Sequence, residues 1–329
     1  MKKILLIGDP KGNADEGMRN IALNLSFIKD RELQFYFVSI KEVLTHLSKY
    51  NDVSIIHYLA GPTWKSFILL YIIKLLVKTY PKTIISFIHP RWNIIASLIF
   101  RLFKPDAVIV QSQKWKRLCK KVCSRVYEVP IVGVDSKRFF SVSKKKKFEI
   151  RKELGLDKDK LIVLHVGHLI EGRNLIIFNS FNEYSDIYPI VIGSTNTKCD
   201  MTLVNELKNS NVNVINKYIP NIEKYYQAAD CYFFPTVNSN YCIQIPLSIL
   251  EAQACNLSVI TTRFEALPYL FPYNQPGFHY IDNFFNITKI IRKVSFESFN
   301  GINRISKYSW KSLHNKFAVI YKELDEKNQ

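Results

Sequence analysis

Short uninterrupted apolar runs recur along this sequence, and each is followed by a loop or by a segment of helical character. The first series reads KILLIGD, QFYFVSI, VSIIHYL, TIISFIH and AVIVQS, and the second reads LIVLHVG, YPIVIGS, VNVINKY, CYFFPT and SVITT. Runs that do not alternate apolar with polar residues are typical of strands covered on both faces. Strands alternating with helical segments predict an α/β fold built on parallel sheets.

The two series of runs predict two domains. A chain of 329 residues is too long for one comfortable core and fits two domains of ordinary size. We expect an N-terminal domain over 1–145, joined by a C-terminal amphipathic helix over 308–326, and a second domain over 155–305. Ligands of open parallel sheets lie beyond the carboxyl ends of the strands, so the loops after the strands are where chemistry is expected.

The positive charge of the chain is unevenly distributed. The net charge is +18, and residues 1–150 contain 27 Lys and Arg against 11 Asp and Glu. The remainder contains 19 against 17. An excess confined to one half predicts a partner for that half, and nucleic acid, an anionic membrane and an acidic substrate all remain open.

The length of the apolar runs and the spacing of the cysteines indicate the cellular compartment. No run reaches the roughly 18 apolar residues of a membrane span, and the four-residue apolar stretch before Gly8 is too short for a signal-peptide core. None of the six cysteines forms a C-x-x-C pair. We therefore expect structural thiols in a reducing compartment, and a cytoplasmic protein.

Three segments carry a resemblance to a known family. They read HVGHLIEGRNL over 165–175, AADCYFFPT over 228–236 and IQIPLSILEAQACNLSVITTRFEALPYLF over 243–271. In order and spacing they resemble the glycosyltransferase group 1 family, the family-4 set of retaining enzymes. The resemblance implies the GT-B fold, in which two Rossmann-like domains with parallel sheets face one another across a deep interdomain cleft.

The first segment implies contacts to the diphosphate of a nucleotide sugar. Arg173 stands where the family has a diphosphate-binding lysine, and a guanidinium offers a planar fork of donors suited to phosphate. Gly167 allows close approach of the backbone. His168 replaces the family's arginine and carries charge only part of the time near neutral pH. A surface arginine capping a loop and a locally bonded histidine are the alternatives.

The third segment implies contacts to the rest of the donor. In the family the residue matching Glu251 accepts hydrogen bonds from ribose hydroxyls, although a carboxylate in a first helical turn is also favoured by the helix dipole. Pro246 has no N–H, so either Leu247 or Ser248 must supply the backbone contact near the distal phosphate, or the loop must shift.

One departure from the family pattern concerns the transferred sugar. Ile243 stands eight residues before Glu251, where the family has its first glutamate, and no acidic residue lies between Asp230 and Glu251. Either the sugar is recognised differently, with Asn238 or Asn240 as neutral substitutes, or catalysis is impaired. We expect the chain to remain an enzyme.

The N-terminal domain contributes further candidates. His89, in SFIHP, corresponds to a family histidine near the sugar, where it polarises the anomeric region or positions the acceptor. A buried histidine bonded to the backbone is the alternative. His57, in IIHYL, is interpreted as structural or as facing the acceptor. Gly12 and Asn13 follow the first strand and are expected to approach the donor phosphate or the acceptor.

By resemblance the reaction is transfer of a hexose from a nucleoside diphosphate sugar, with retention at the anomeric carbon. Arg173 and the helix end are expected to neutralise the leaving group, so no metal is expected, and no cofactor is expected beyond the donor as co-substrate. The acceptor is expected to be a glycan or a lipid-linked molecule.

The basic segments WKSFILLYIIKLLVK and WNIIASLIFRLFK suit an anionic membrane surface, unless they are ordinary crossover helices. No nucleic-acid-reading motif is recognisable, so nucleic acid is not expected as a partner.

Overall fold

A computed structural model describes residues 1–9, 12–13, 15–195 and 197–326 of the chain. Its strands, in chain order, are β1 (Lys2–Ile7), β2 (Leu33–Val38), β3 (Ile55–Tyr58), β4 (Lys82–Ser86), β5 (Ala107–Val110), β6 (Val126–Glu128), β7 (Leu161–Gly167), β8 (Ile187–Gly193), β9 (Asn213–Ile215), β10 (Cys231–Phe234), β11 (Ser258–Thr261) and β12 (Phe278–Tyr280). Every strand pair within the sheets is parallel, so the predicted α/β fold is confirmed.

The helices of the described residues alternate with these strands. They are α1 (Gly17–Ser26), α2 (Trp64–Leu76), α3 (Ile94–Leu102), α4 (Gln113–Cys119), α5 (Lys144–Glu153), α6 (Met201–Asn209), α7 (Glu223–Ala228), α8 (Leu247–Ala254), α9 (Leu267–Leu270), α10 (Ile287–Val294), α11 (Gly301–Ile305) and α12 (Trp310–Glu326). Short 3₁₀ segments cover Leu47–Tyr50, Glu171–Arg173, Leu175–Glu183, Ser239–Tyr241 and Ser306–Tyr308. No helix among the described residues is both long enough and apolar enough to cross a bilayer.

The chain divides into two compact units, each with one six-stranded sheet. Unit 1 comprises Met1–Val132, Ile243–Ile245 and the C-terminal segment that contains α12, and its sheet has the order β2-β1-β3-β4-β5-β6. Unit 2 comprises Gly133–Cys242 and Pro246–Ser309, and its sheet has the order β12-β11-β10-β7-β8-β9. In each sheet the central strands are buried continuous apolar runs, as predicted from their sequence.

Capping residues that are recognisable in the sequence stabilise the first turns of several of these helices. At the start of α2 the Thr63 hydroxyl accepts from the Ser66 N–H, and the Ser66 hydroxyl accepts in return from the Thr63 N–H, which is a capping box. The Asn93 side chain caps α3, and the Asp200 carboxylate caps α6.

Helix α12 packs within unit 1 through polar contacts. The Arg125 Nη1 donates to the Leu324 carbonyl at 3.1 Å, and the His314 Nε2 lies 2.8 Å from the Asn24 carbonyl. On the sheet, the buried His57 bonds the Tyr321 hydroxyl through Nδ1 and the Ser86 hydroxyl through Nε2, both at 2.7 Å. Burial lowers the pKa of His57 to about 3, so the ring is neutral at pH 7. Both ring nitrogens are engaged, which favours the structural interpretation of His57.

Candidate functional site

Strand β7 of unit 2 ends at Gly167 and is followed by the 3₁₀ turn that contains Arg173. This turn directs the Arg173 side chain into the protein, where the residue is only 5% exposed. Its guanidinium carbon lies 5.8 Å from the ring centroid of Phe234, the last residue of β10. Asn174 follows with φ +57°, a left-handed conformation that asparagine tolerates. The arginine is therefore held at the carboxyl ends of β7 and β10 and is not on the surface.

The buried guanidinium of Arg173 has no carboxylate within ion-pair distance in the part of the chain that the structure describes, and its Nε makes no hydrogen bond there. Arg151, in the same unit and equally buried, is different. Its Nη2 lies 2.6 Å from the Asp230 carboxylate, and its other nitrogens donate to the carbonyls of Ala228, Lys158 and Lys160. A buried cation without a counter-ion is costly, so Arg173 is suited to bind an anion supplied from outside.

Gly167 leaves room beside this cation. A Cβ at Gly167 would lie 3.2 Å from the Arg173 Nη1 and 3.0 Å from the Nε2 of the buried His165. The His165 Nδ1 lies 2.9 Å from the Phe233 carbonyl, to which it must donate. Burial lowers the pKa of His165 to about 3, and the charge of Arg173 acts in the same direction. His165 is thus neutral at pH 7 and does not compete with Arg173 for an anion.

A buried tyrosine pair connects β7 with helix α8. The Tyr232 hydroxyl donates to the Val166 carbonyl at 3.1 Å and is also hydrogen-bonded to the Ser248 side chain. The Tyr232 ring stacks on that of Tyr226, with centroids 5.8 Å apart. The Ser248 hydroxyl therefore has a partner in Tyr232, whereas the Ser248 backbone N–H lies in the first turn of α8 and has no intrahelical acceptor.

Glu251, on α8, is held by the second tyrosine of this pair. The Tyr226 hydroxyl donates to the Glu251 Oε2 at 2.8 Å. Burial raises the pKa of Glu251 to about 7, while the Tyr226 hydrogen bond and the charge of Arg138 act against that rise. Because one oxygen is already bonded by Tyr226, the other oxygen of this partly buried carboxylate is suited to accept from ligand hydroxyls.

The position of Glu251 on its helix corrects the alternative that the helix dipole accounts for this carboxylate. Helix α8 begins at Leu247, and its first turn contains no acidic residue, because Glu251 is the fifth helical residue. Helix-dipole stabilisation acts within the first turn, so it does not account for a carboxylate at this place. Pro246 is the N-cap and its side chain bonds nothing there, so the first N–H groups belong to the buried Leu247 and to Ser248. These N–H groups have no intrahelical acceptor and suit an anion.

The remaining donor-binding candidate of unit 2 is His168. It follows β7 directly and is partly buried.

Asn238, a neutral candidate for contacting the sugar, caps the 3₁₀ turn at Ser239–Tyr241, and its side-chain oxygen accepts from the Asn240 N–H at 3.0 Å. The roles predicted for these residues stay predictions.

Unit 1 contains the candidates Gly12, Asn13 and His89. Gly12 has φ +107°, and a Cβ there would overlap the guanidinium of Arg19, which lies 3.9 Å from the Asp9 carboxylate. Arg19 is a cation that sequence reasoning missed, because it lies on α1, beyond the loop itself. His89 is partly buried after β4, and its backbone N–H donates to the Gly61 carbonyl at 3.1 Å.

Ile243 also lies in unit 1. It is buried, and its Cδ1 lies 2.7 Å from where a Cβ on Gly17 would be, so the apolar side chain fills the space beside the first residue of α1. The adjacent Gln244 N–H donates to the Ile88 carbonyl at 3.1 Å. The position that holds a glutamate in the family pattern is therefore part of an apolar contact within unit 1.

Comparison with known proteins identifies relatives of this chain. Residues 146–296 match the model of the family described as "Glycosyl transferases group 1". The putative teichuronic acid biosynthesis glycosyltransferase TuaC of Bacillus subtilis (strain 168) is 25% identical over 185 residues, which cover 54% of this chain and 44% of TuaC. The chain thus spans less than half the length of this curated relative.

Two solved structures resemble the whole chain in fold. The sucrose-phosphate synthase of Thermosynechococcus elongatus has a TM-score of 0.73 at 15% identity and covers 98% of this chain and 99% of its own. Anabaena HepE in complex with UDP-glucose has a TM-score of 0.75 at 13% identity and covers 98% of this chain and 100% of its own. The fold of two Rossmann-like sheet units is that of the GT-B proteins, as the sequence motifs implied.

Proposed function

We propose that the chain transfers a hexose from a nucleoside diphosphate sugar to a glycan or a lipid-linked acceptor, because residues 146–296 match the model of the group 1 glycosyl transferases. Retention of the anomeric configuration and independence from metal are part of the proposal. HepE, of the same fold, was solved with UDP-glucose, which makes UDP-glucose the first donor to test. The relation to TuaC, a putative teichuronic acid enzyme, supports a glycan acceptor.

The observation that carries the proposal is the buried guanidinium of Arg173, which has no carboxylate within ion-pair distance and an unbonded Nε among the described residues. A diphosphate leaving group needs cations and backbone donors aimed at its oxygens. Arg173 supplies the charge, and the N-terminus of α8, through Leu247 and Ser248, supplies backbone N–H groups. Glu251 accepts from the ribose hydroxyls, and Tyr226 fixes the orientation of its carboxylate. Gly167 keeps side-chain atoms out of the space beside Arg173.

Within unit 1, the proposal gives His89 the role of polarising the anomeric region or positioning the acceptor. Gly12 and Asn13 are assigned to the donor phosphate or the acceptor, and His168 to the second phosphate contact. An anionic membrane surface as partner is supported by the charge of residues 1–150.

Titration calorimetry with UDP-glucose tests the donor site. Arg173→Met should weaken binding at least about tenfold, because charge-assisted hydrogen bonds are worth about 1.5–3 kcal/mol. Arg292→Met is the matched control, since Arg292 is in the same unit but pairs with Asp186 at the surface. Equal affinities for UDP-glucose in the wild type and Arg173→Met would refute the proposed role of Arg173.

A second candidate function is binding of the nucleotide sugar without turnover, which the buried Ile243 favours. Release of UDP from UDP-glucose distinguishes the two functions when it is measured with and without lipid and glycan acceptors. Tight binding with no UDP release under any of these conditions supports the binding protein, whereas release that Arg173→Met abolishes supports the enzyme.

A further inference from the structure

Helices α2 and α3 lie side by side on one face of the unit 1 sheet. The strands that they connect, β3, β4 and β5, are consecutive neighbours, and right-handed crossovers in one direction place the helices on the same face. The helices pack on each other through their inner sides: the rings of Phe67 and Phe100 are 5.0 Å apart, and those of Tyr71 and Phe103 are 5.1 Å apart. Their outer sides therefore form one surface.

This surface, the α2–α3 face, is apolar and uncovered. Its main side chains are Ile72, Leu75, Leu76, Ile94, Leu98 and Leu102. Ile94 is 89% exposed and Leu98 is 58% exposed, although crossover helices normally present polar residues outward. The side chains recur at helical spacing on two adjacent helices, and exposed apolar patches mark interaction sites. The sequence alternative, that these segments are ordinary crossover helices, accounts for their inner sides only.

The charge around the α2–α3 face has one sign. Residues 53–105 contain no Asp or Glu, whereas they contain seven Lys and Arg. Of these, Lys74 is paired with Asp106 at 2.7 Å. Lys65, Lys78, Arg91, Arg101 and Lys104 are exposed. An occupant of this surface must therefore combine an apolar interior with negative charge at its boundary.

We propose that the α2–α3 face docks on the surface of an anionic lipid bilayer, an inference that rests on the membrane partner of the proposed function and assigns it to one surface. The leucine and isoleucine side chains enter the boundary of the acyl chains, and the lysines and arginines lie at the level of the lipid phosphates. Trp64 and Tyr80, both exposed, are of the type that concentrates at this interface. A second copy of the chain fits less well, because two such faces would bring the same positive side chains together.

Flotation with vesicles tests the apolar part of the proposal. The full chain should float with vesicles of phosphatidylcholine containing phosphatidylglycerol and should float poorly with phosphatidylcholine alone. Ile94→Glu with Leu98→Glu should lower the partition coefficient at least about tenfold, because carboxylates replace buried methylene groups. The matched control is Phe285→Glu with Phe296→Glu, two similarly exposed apolar residues of unit 2, and it should float as the wild type does.

A charge exchange tests the electrostatic part without altering the apolar side chains. Lys78→Glu with Arg101→Glu should weaken binding roughly 25-fold or more, since each basic residue near the surface contributes about five-fold. Lys144→Glu with Lys145→Glu changes the net charge equally, on exposed residues of α5, and should retain most of the binding. Thermal melting of each variant shows whether it is folded. If the apolar variant is unfolded, the charge exchange alone decides.

Three results would overturn the proposal. The first is a wild-type chain that does not float with anionic vesicles. The second is an equal loss in the α2–α3 variants and in their controls. The third is a wild-type dimer, seen by sedimentation equilibrium, that Ile94→Glu with Leu98→Glu converts to a monomer while vesicles bind neither form. That last result would assign the face to a second copy of the chain.

Discussion

Arg151 and Arg173 have the same charge and similar burial in unit 2, yet opposite surroundings. Arg151 is neutralised by Asp230, whereas Arg173 lies beside the face of Phe234 and has no carboxylate within ion-pair distance among the described residues. A charge–ring contact offsets part of the cost of burial but does not replace a counter-ion. Arg173 should therefore lower the stability of the free protein, as residues kept for ligand binding often do.

This difference gives a stability prediction. Arg173→Met should raise the free energy of unfolding by about 1 kcal/mol and the Tm by about 2–4 °C, because it removes an unpaired buried cation. Arg151→Met should lower the free energy of unfolding by about 3 kcal/mol, because it leaves the Asp230 carboxylate and three carbonyls without this donor. Thermal melting of both variants measures the change in Tm relative to the wild type. A fall in Tm for Arg173→Met as large as that for Arg151→Met would mean that Arg173 is structural.

The raised pKa of Glu251 gives a pH prediction. Ribose hydroxyls donate to a carboxylate, so the ionised form should bind the donor, and the ionised fraction rises as the pH passes about 7. The affinity for UDP-glucose should rise about tenfold between about pH 6 and about pH 8. The free energy of unfolding should change in the other direction. The pKa of Glu251 is higher in the folded protein than in the unfolded chain, so its contribution to stability is lost as the pH rises toward 7.

Calorimetric titrations across this pH range measure the effect, with Glu251→Gln as the variant that should show weak binding and no such pH dependence. An affinity that falls as the pH rises would contradict the role of Glu251 and would point to a protonated histidine such as His168.

Tyr226 should act as a positioning residue for Glu251. Its hydroxyl stabilises the ionised carboxylate, so Tyr226→Phe should raise the pKa of Glu251 further and move the midpoint of donor binding to higher pH. The affinity should then recover toward the wild-type value at alkaline pH. Tyr225→Phe, one residue away, is the control and should leave the midpoint unchanged. A loss of equal size at every pH would show that Tyr226 only contributes packing.

The sequence predicted the charged members of the site better than their supports. Arg173 and Glu251 belong to recognisable segments, and in unit 2 Arg173 is buried and Glu251 is partly buried. Tyr226, Tyr232 and His165 were missed, because an aromatic residue in an apolar run is indistinguishable from core until its polar atom has a partner. The contact from Tyr226 to Glu251 spans 25 residues, and no local pattern indicates such a pair.

At the scale of elements, the long buried strands were predictable, and two of the four edge strands were not. The apolar runs predicted β7 and β8, which the structure places beside each other. In contrast, the edge strands β6 and β12 were missed. Each has only three residues, as β9 does, but neither lies in an apolar run like the one that predicted β9. The three residues of β6 are followed by Pro130, Gly133 and Asp135, and these turn residues outweigh so short a strand signal.

The contact of α11 with α8 gives a prediction at this scale. A Cβ at Gly301 would overlap the backbone carbonyl of Gln253, and a backbone atom cannot rotate away. Gly301→Ala should therefore separate the two helices and lower the free energy of unfolding by about 1–3 kcal/mol. Denaturant unfolding measures the change. Asn303→Ala, at an exposed position of the same helix, is the control, and a Gly301→Ala variant as stable as this control would contradict the packing.

At the scale of the whole molecule, the two units have the same architecture and different chemistry. Residues 1–150 carry most of the positive charge, and the exposed apolar α2–α3 face belongs to unit 1. Unit 2 contains the unpaired arginine and the tyrosine-held carboxylate. The repeated alternation of strand and helix predicted the shared architecture, whereas only side-chain environments distinguish the functions of the units.

A crystal structure of the chain with UDP-glucose tests the central claim most directly. We expect diphosphate oxygens within about 3.2 Å of the Arg173 guanidinium nitrogens and ribose hydroxyls at hydrogen-bond distance from Glu251. A diphosphate bound away from Arg173, for example on Arg19 in unit 1, would contradict the account.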